Sequence, residues 1–457
     1  MKLTVPITLF CSIGISSAAL AIPSFARKYG TSCTTCHTVY PKLTPFGEAV
    51  RRDSFRFPGV DSDYVKQEKI ALVPKAAGEE DQYGLVAIPP LSFGFNGQVF
   101  AHPDKSSSGG RADNGAVFLT RDVVAEAHLW AGGGFSDTIT YFGEVTLGSD
   151  GTVDVEHAQV FASDLIGPKH AVNVRVGRGF ATLSSFGPHS SYLGDQIMPS
   201  SGVTALGGSG TTWNVFDHHN GVEVNGVIGG RFDYSAGLNA GSSFDTRSSE
   251  NYYGHVGYKF GGMRLDGEGG STPANAMRPW EEQAFTVDVF AYRAVNSADF
   301  PSGDPAAPGP IVLLDSATVV GGNVRAQLDS LELNAGVSFE THNHAQADGT
   351  GATLLAPYGE LSYLVQPWFV PAVRVEYSGY SPDGGSSINN VRVIPGIASA
   401  IRPNIKLVLS AALETASGVP PGGWGAVGGF AAPSPTSTST SVSLELEYVQ
   451  LFLAVAF

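Results

Sequence analysis

The sequence predicts an all-β chain: a transmembrane antiparallel β-barrel of about 16 strands behind a small N-terminal helical segment. Three observations carry that expectation. Apolar and polar residues alternate with period 2 through much of residues 90–457. Past the first twenty or so residues there is no run of about 18 apolar residues, the length a spanning helix would need. Charged residues make up only 15% of a chain that holds 57 Gly and 28 Pro and is 10% aromatic. Many short alternating segments in a Gly-rich, aromatic-rich chain are the mark of strands that cross a membrane.

Residues 1–21 read as a secretion signal, with Lys2 at its positive start and an apolar run from Leu3 to about Leu20. Ala19-Leu20-Ala21 offers a small-residue cleavage site, so the mature chain is expected to begin near Ile22. Phe10 is bulky where a lipid-attachment signal wants a small residue before Cys11. Residues 22–89 then form a short segment and linker, and 90–457 the barrel. Without Cys11, two of the three cysteines remain, and both lie in one motif, so a disulfide-stapled fold is excluded.

The alternation is clearest in "DTITYFGEVTLG", where Ile139, Tyr141, Val145 and Leu147 share one face and Thr138, Thr140, Glu144 and Thr146 the other. Around a Gly229-Gly230 turn, Val222, Val224 and Ile228 and then Phe232, Tyr234, Ala236 and Leu238 repeat the scheme. "YYGHVGYKFGGMRLDGEG" predicts a second hairpin about Gly261-Gly262. Segments 331–341, 369–377, 405–413 and 444–457 follow the same rule. The last ends on Phe457 with Val449, Leu451, Leu453 and Val455 on one side, the form of an outer-membrane sorting signal.

A closed barrel puts the apolar face toward lipid and the polar face toward a watery lumen. Lumen candidates are Asp122, Glu126, His128, Glu144, Arg175, Glu223, His255, Lys259, Glu332, Glu340, Arg374 and Glu376. Turn-rich stretches at about 181–211, 295–314 and 417–439 are expected to be outer loops. The first holds His189 and Met198 and is a candidate to fold inward.

The motif behind the signal is Cys33-Thr34-Thr35-Cys36-His37. Two thiols two residues apart match the spacing of the haem vinyl groups, and the histidine that follows reaches the iron from the proximal side. A zinc site would need two more ligands nearby, and His37 is the only histidine before His102. One covalent haem c on Cys33 and Cys36, with His37 on its iron, is therefore expected. Thr44 is placed to cap a helix, Pro45 to begin it, and Phe46 and Val50 to share its inner face.

The sixth iron ligand is left open, because no Met and no second His lies between Ile22 and Pro89. The options are an open site, a Lys28, Tyr29 or Tyr40 side chain, or a residue lent by the barrel. Among barrel residues, His128 and His255 face the lumen in this register, and His157 joins them if its strand carries a bulge. Six basic residues (Arg27, Lys28, Lys42, Arg51, Arg52, Arg56) oppose Glu48 and Asp53 between Ile22 and Gly59, whereas the chain from residue 90 on holds 17 basic and 34 acidic residues. A basic haem segment held in an acidic lumen follows from those signs.

A secretion signal, "PSFARKYGTSCTTCHTVYPKLTPFGEAVRR" and a barrel of about sixteen strands together resemble the fused monohaem cytochrome–porin family, best known for outer-membrane iron oxidases. The likeness runs the length of the chain in architecture, with motif identity confined to about residues 22–58. It implies that the haem segment plugs or lines the barrel of a bacterial outer-membrane protein. It also implies electron passage from extracellular Fe(II) to a periplasmic cytochrome or other carrier. A porin-like channel gated by its haem segment, and outward electron transfer to external acceptors, use the same parts. Enzymatic activity beyond Fe(II) oxidation has no motif behind it: there is no Gly-x-Ser-x-Gly, no His-Glu-x-x-His and no phosphate loop. A net charge of −15 opposes nucleic-acid binding.

Overall fold

The computed structural model of the 457-residue chain describes residues 24–59, 61–66, 69–71, 84–86, 91–103, 117–183, 190–193, 218–240, 251–269, 278–300, 311–345, 349–385, 387–416 and 445–456. The signal at 1–21, His189, Met198, Phe457 and the side chain of Asp122 lie outside what is described.

Sixteen strands form one closed antiparallel barrel, as the alternation predicts. The first eight are β1 Leu91–Pro103, β2 Val117–Gly134, β3 Ile139–Gly148, β4 Val153–Ala162, β5 Asn173–Phe180, β6 His218–Ile228, β7 Phe232–Ala240 and β8 Asn251–Gly261. The second eight are β9 Glu282–Phe300, β10 Ile311–Asp329, β11 Leu331–His342, β12 Ala352–Tyr363, β13 Val370–Pro382, β14 Ile388–Arg402, β15 Ile405–Ala416 and β16 Glu445–Ala456. Each strand pairs with its neighbours in sequence, and β16 closes on β1 with Val449 opposite Ala101 and Ala456 opposite Gly94. Closure leaves no unpaired edge, which is what allows a sheet to span lipid.

Side chains obey the period of 2 with an inverted sense. Large apolar residues stand outward and bare, among them Leu238 at 66% exposure and Val289 at 53%, while Glu223, His255, Lys259, Glu332, Glu340, Arg374 and Glu376 are buried inside. Such an outward apolar wall is stable only against acyl chains, so the barrel is membrane-spanning. In the 229–231 connection Gly229 and Gly230 both take positive φ (60° and 70°), a conformation that glycine adopts freely.

Two expectations need correction. The predicted second arm after Gly261-Gly262 is not a strand. Residues 263–269 form turns beneath the barrel, where Met263 and Leu265 are buried and Leu265 N–H donates to the Gly230 carbonyl (2.8 Å). A Cβ at Gly267 would overlap Pro58 of the N-terminal segment, so this stretch is shaped to that segment rather than to a sheet. The loop expected at 295–314 is shorter, because β9 and β10 stay paired from Val295–Ser316 out to Phe300–Ile311.

The lumen is not simply watery. Residues 24–59 lie inside the end of the barrel that carries the short strand connections, such as 135–138, 229–231 and 403–404. Short connections mark the periplasmic end of such barrels. There α1 (Ser24–Tyr29) and α2 (Pro45–Arg52) flank a small ladder of His37–Val39 with Lys42–Leu43. Tyr29, Val50 and Phe57 make a core of their own, with the Tyr29 and Phe57 rings stacked at 3.7 Å. Val39 packs on inward Val370, Ala398, Val408 and Ala412 of the wall, joined by Tyr192 and Leu193. An occupied lumen needs an apolar patch just as a domain core does.

Candidate functional site

The cysteine motif is built from backbone constraints that its sequence supplies. Ser32 caps a single 3-10 turn at Cys33–Thr35, accepting from Thr34 N–H. Thr44 does two jobs: its hydroxyl accepts from Gly47 N–H (3.0 Å) as the cap of α2 and donates to the Thr35 carbonyl (2.8 Å). Helix and motif are thereby joined through one side chain. Replacing it by alanine (Thr44→Ala) is expected to lower the thermal stability of the N-terminal segment by about 1–2 kcal/mol, the usual cost of a lost cap. Differential scanning fluorimetry against Thr44→Ser, which keeps the hydroxyl, checks this.

Cys33 and Cys36 are half-buried and free of any disulfide. His37 Nδ1 lies 3.1 Å from the Pro41 carbonyl oxygen. A carbonyl can only accept, so Nδ1 carries the proton and Nε2 keeps the lone pair, as metal-ligating imidazoles require. Burial also pushes the His37 ring down to about 4, which keeps it neutral, and pushes the Cys36 thiol up to about 12. Two free thiols and an oriented neutral imidazole are the donor set that a covalent haem c would use.

Ion pairs clamp this segment to the wall, as the opposed charges predict. Lys42 pairs with Glu332 of β11 and donates to the Ser190 carbonyl (2.6 Å). Arg325 of β10 reaches Glu48 of α2 with one nitrogen and Glu332 with another (3.0 Å). Burial would raise the Glu48 carboxyl, but Arg325, Lys259 and Arg52 hold it below its usual range. Arg52 pairs with Asp233 (3.2 Å) and Arg56 with Asp164 (3.2 Å). From the opposite end of the lumen, Ser191 and Tyr192 bind Glu360, which also accepts from Arg374 (2.9 Å). Residues 190–193 of the first turn-rich stretch therefore do lie inside the barrel.

The candidate sixth ligands separate. The Lys28 ammonium donates to the Tyr29 hydroxyl (2.8 Å), and that hydroxyl donates to the Phe55 carbonyl (3.2 Å), so both are engaged in the segment's core. Tyr40 stays on the motif, its ring 5.5 Å from that of His37. From Tyr40 the aromatic contacts continue to Trp130 (6.4 Å) and from Trp130 to a parallel His128 ring (5.2 Å). His157 does turn inward through a bulge: Glu144 pairs with His157 and Val145 with Val155, leaving Glu156 as the extra residue. His255 is buried on β8, several strands further round the wall.

His128, Glu144 and Glu156 bring one ligating atom each within 4.8 Å of one another. Trp130, Glu156 and His218 were not singled out from the sequence. Trp130 was readable, because Glu126, His128 and Trp130 share the inner face of β2. Glu156 was readable too, because it alternates with the outward Val153 and Val155; the bulge is what brings His157 in beside it.

The barrel is similar to solved outer-membrane proteins. In-vitro folded OmpT of Vibrio cholerae superposes with a TM-score of 0.53 at 9% identity, over 83% of this chain and 99% of that one. The anion-selective porin from Comamonas acidovorans gives 0.52 at 12% identity, over 80% and 98%. Salmonella typhi OmpF, in a complex with daunomycin, gives 0.50 at 10%, over 82% and 98%. No protein-family profile and no curated protein matches the chain. The chain is thus a porin-like, outer-membrane type of 16-stranded barrel, with lipid against its outer face.

Proposed function

We propose that the protein is an outer-membrane electron conduit in which residues 24–59 hold one covalent haem c inside the periplasmic mouth of the barrel. The observation that supports this most is the pairing of two free thiols with His37 oriented by the Pro41 carbonyl, all in a segment clamped to the inner wall. Cys33 and Cys36 would carry the thioether links and His37 the proximal bond. A haem bound there supplies a one-electron relay.

The chain's own parts serve that role in distinct ways. The barrel keeps bulk lipid away from the segment, and the ion pairs of Lys42, Arg52 and Arg325 fix its position in the lumen. The exposed turns at the same end are where a periplasmic electron carrier would dock. Extracellular Fe(II) is the favoured donor, because oxidising iron outside keeps ferric mineral out of the periplasm. The likeness to porins favours a second reading, in which the same segment gates a diffusion channel.

An anaerobic absorption spectrum of the purified protein, before and after Fe(II), tests the first. Sharp ferrous-haem bands on adding Fe(II), absent from Cys36→Ala, are expected. Bands that form with dithionite but not with Fe(II) would remove iron as donor. A protein without covalent haem would end the conduit reading and leave the channel.

A further inference from the structure

We propose that His128, Glu144 and Glu156 form a binding site for a divalent first-row metal ion in the inner wall of the barrel. The proposal deepens the conduit reading and rests on it only for the identity of the natural ion, Fe(II), which would be held there as substrate.

The site is made by three consecutive strands. His128 is on β2, Glu144 on β3 and Glu156 on β4, and His218 from β6 stands beside them. His128 Nδ1–H donates to Glu144 Oε1 (3.1 Å), His157 Nε2 lies 3.8 Å from Glu144 Oε2, and His218 Nε2 lies 3.8 Å from Glu156 Oε2. The bulge is what brings His157 in beside the set. On β4, Val153 and Val155 face outward before it and Val160 after it, at 66%, 42% and 48% exposure, so Glu156 and His157 both turn to the lumen.

The charges here differ from those in much of the wall, with Asp315 and Glu340, paired to His342, a partial parallel. Glu223, Glu282, Glu332 and Glu360 are each matched by an arginine or lysine: Arg175, Lys259, Arg325 and Arg374. Among the described residues every ion pair of Glu126, Glu144 and Glu156, by contrast, is with a histidine. The neutral Asn96 amide also donates to Glu126 (2.8 Å), but carboxylates brought together without a lysine or arginine repel one another unless a proton or a metal ion joins them. Imidazole with two carboxylates suits Fe(II), Mn(II) or Zn(II) better than the softer or harder ions.

Access and position agree with that use. Glu126, 3.6 Å from His128 Nε2, has a side chain 47% exposed, so one side of the cluster is wet, while Glu144 beside it is at 12%. The β3–β4 connection, 149–152, is the shortest on the outer end of the barrel, so the wall is lowest above the cluster. On the inner side the stack of His128 on Trp130 and the edge contact of Trp130 with Tyr40 lead to His37.

The test is Mn(II) titration of the full-length, haem-loaded protein in detergent, following the free-ion electron paramagnetic resonance signal. One equivalent is expected to bind saturably, and Glu144→Gln and Glu156→Gln to weaken it about tenfold or more each. Glu268→Gln, on an exposed turn, should bind as the native protein does. Folding of each variant is checked by its heat-modifiable mobility in gels. A nitrogen modulation from imidazole in the spin-echo spectrum, lost in His128→Gln, is the second expected readout. No saturable binding up to about 1 mM, the weak end of protein metal sites, or equal binding by all variants would overturn the site. Haem reduction by Fe(II) in a protein that binds no Mn(II) overturns the site and leaves the conduit. Saturable Mn(II) binding that the two glutamine variants lose, with no reduction by Fe(II), upholds the site and removes iron as donor.

Discussion

Removing the Arg325 guanidinium and the Lys42 ammonium together (Arg325→Ala with Lys42→Ala) is expected to turn a nearly silent barrel into a conducting one. Both side chains are almost wholly buried, and together they tie α2 and the ladder behind it to β10 and β11 through Glu48 and Glu332. Without them two carboxylates, one on each side of the contact, are left to repel in a dry place. Breaking a buried ion pair from one side costs on the order of 3–5 kcal/mol. Ties that remain, among them Arg52 to Asp233, Arg56 to Asp164 and His170 to Asp53, lie at the other side of the segment. Loosening one side is expected to open a path past it. Planar-bilayer conductance is the measurement, with Arg325→Lys as a control that keeps the charge and loses the fork. If the native protein already conducts like an open porin, the segment does not obstruct the lumen, and the conduit reading loses its insulating wall.

Gly47→Ala is the second large expected effect, and its sign is informative. In a free helix this change stabilises by about 0.5–1 kcal/mol, because alanine is the better helix former. Here a Cβ would overlap the carbonyl of Cys36, an oxygen that already accepts from Thr44 N–H (2.8 Å). Neither α2 nor the motif can retreat without breaking the Thr44 cap. The result expected is a loss of about 1–3 kcal/mol, as in other overpacked sites, with a fall in haem per protein by the pyridine haemochrome method. A variant that is more stable and fully loaded would show that helix and motif are not in contact as described.

Much of the fold was legible because a membrane wall exposes its pattern on both faces. Val222, Val224 and Ile228 opposite Glu223 and Asn225 leave one register only, since a slip of one residue would put glutamate into lipid. The clamp was legible in outline from the opposed charges of the two regions, but not which residues meet. Residues 263–269 misled because their alternation serves burial against Pro58 rather than pairing. The cluster of His128, Glu144 and Glu156 was legible only in part: period 2 assigns Glu156 and His157 to opposite faces, and the pairing of Glu144 with His157 shows that both turn inward. Gly94 carried a signal of another kind. It sits opposite His128 in the ladder, where a Cβ would run into the Trp130 ring, so it holds open the space that Trp130 fills.

The enclosure of residues 24–59 by all sixteen strands sets an order of assembly. Cys33 and Cys36 precede every strand of the barrel in the chain, and β16, which shuts the ring against β1, follows the other fifteen. An enzyme that joins a porphyrin to those thiols needs to grasp the chain around them, and a finished wall would keep it out. If the segment carries the proposed haem, attachment belongs to the transit stage, while the chain is still open in the periplasm, and the ring then closes over a loaded segment. On that proposal, a chain whose barrel closed before modification would hold its segment empty.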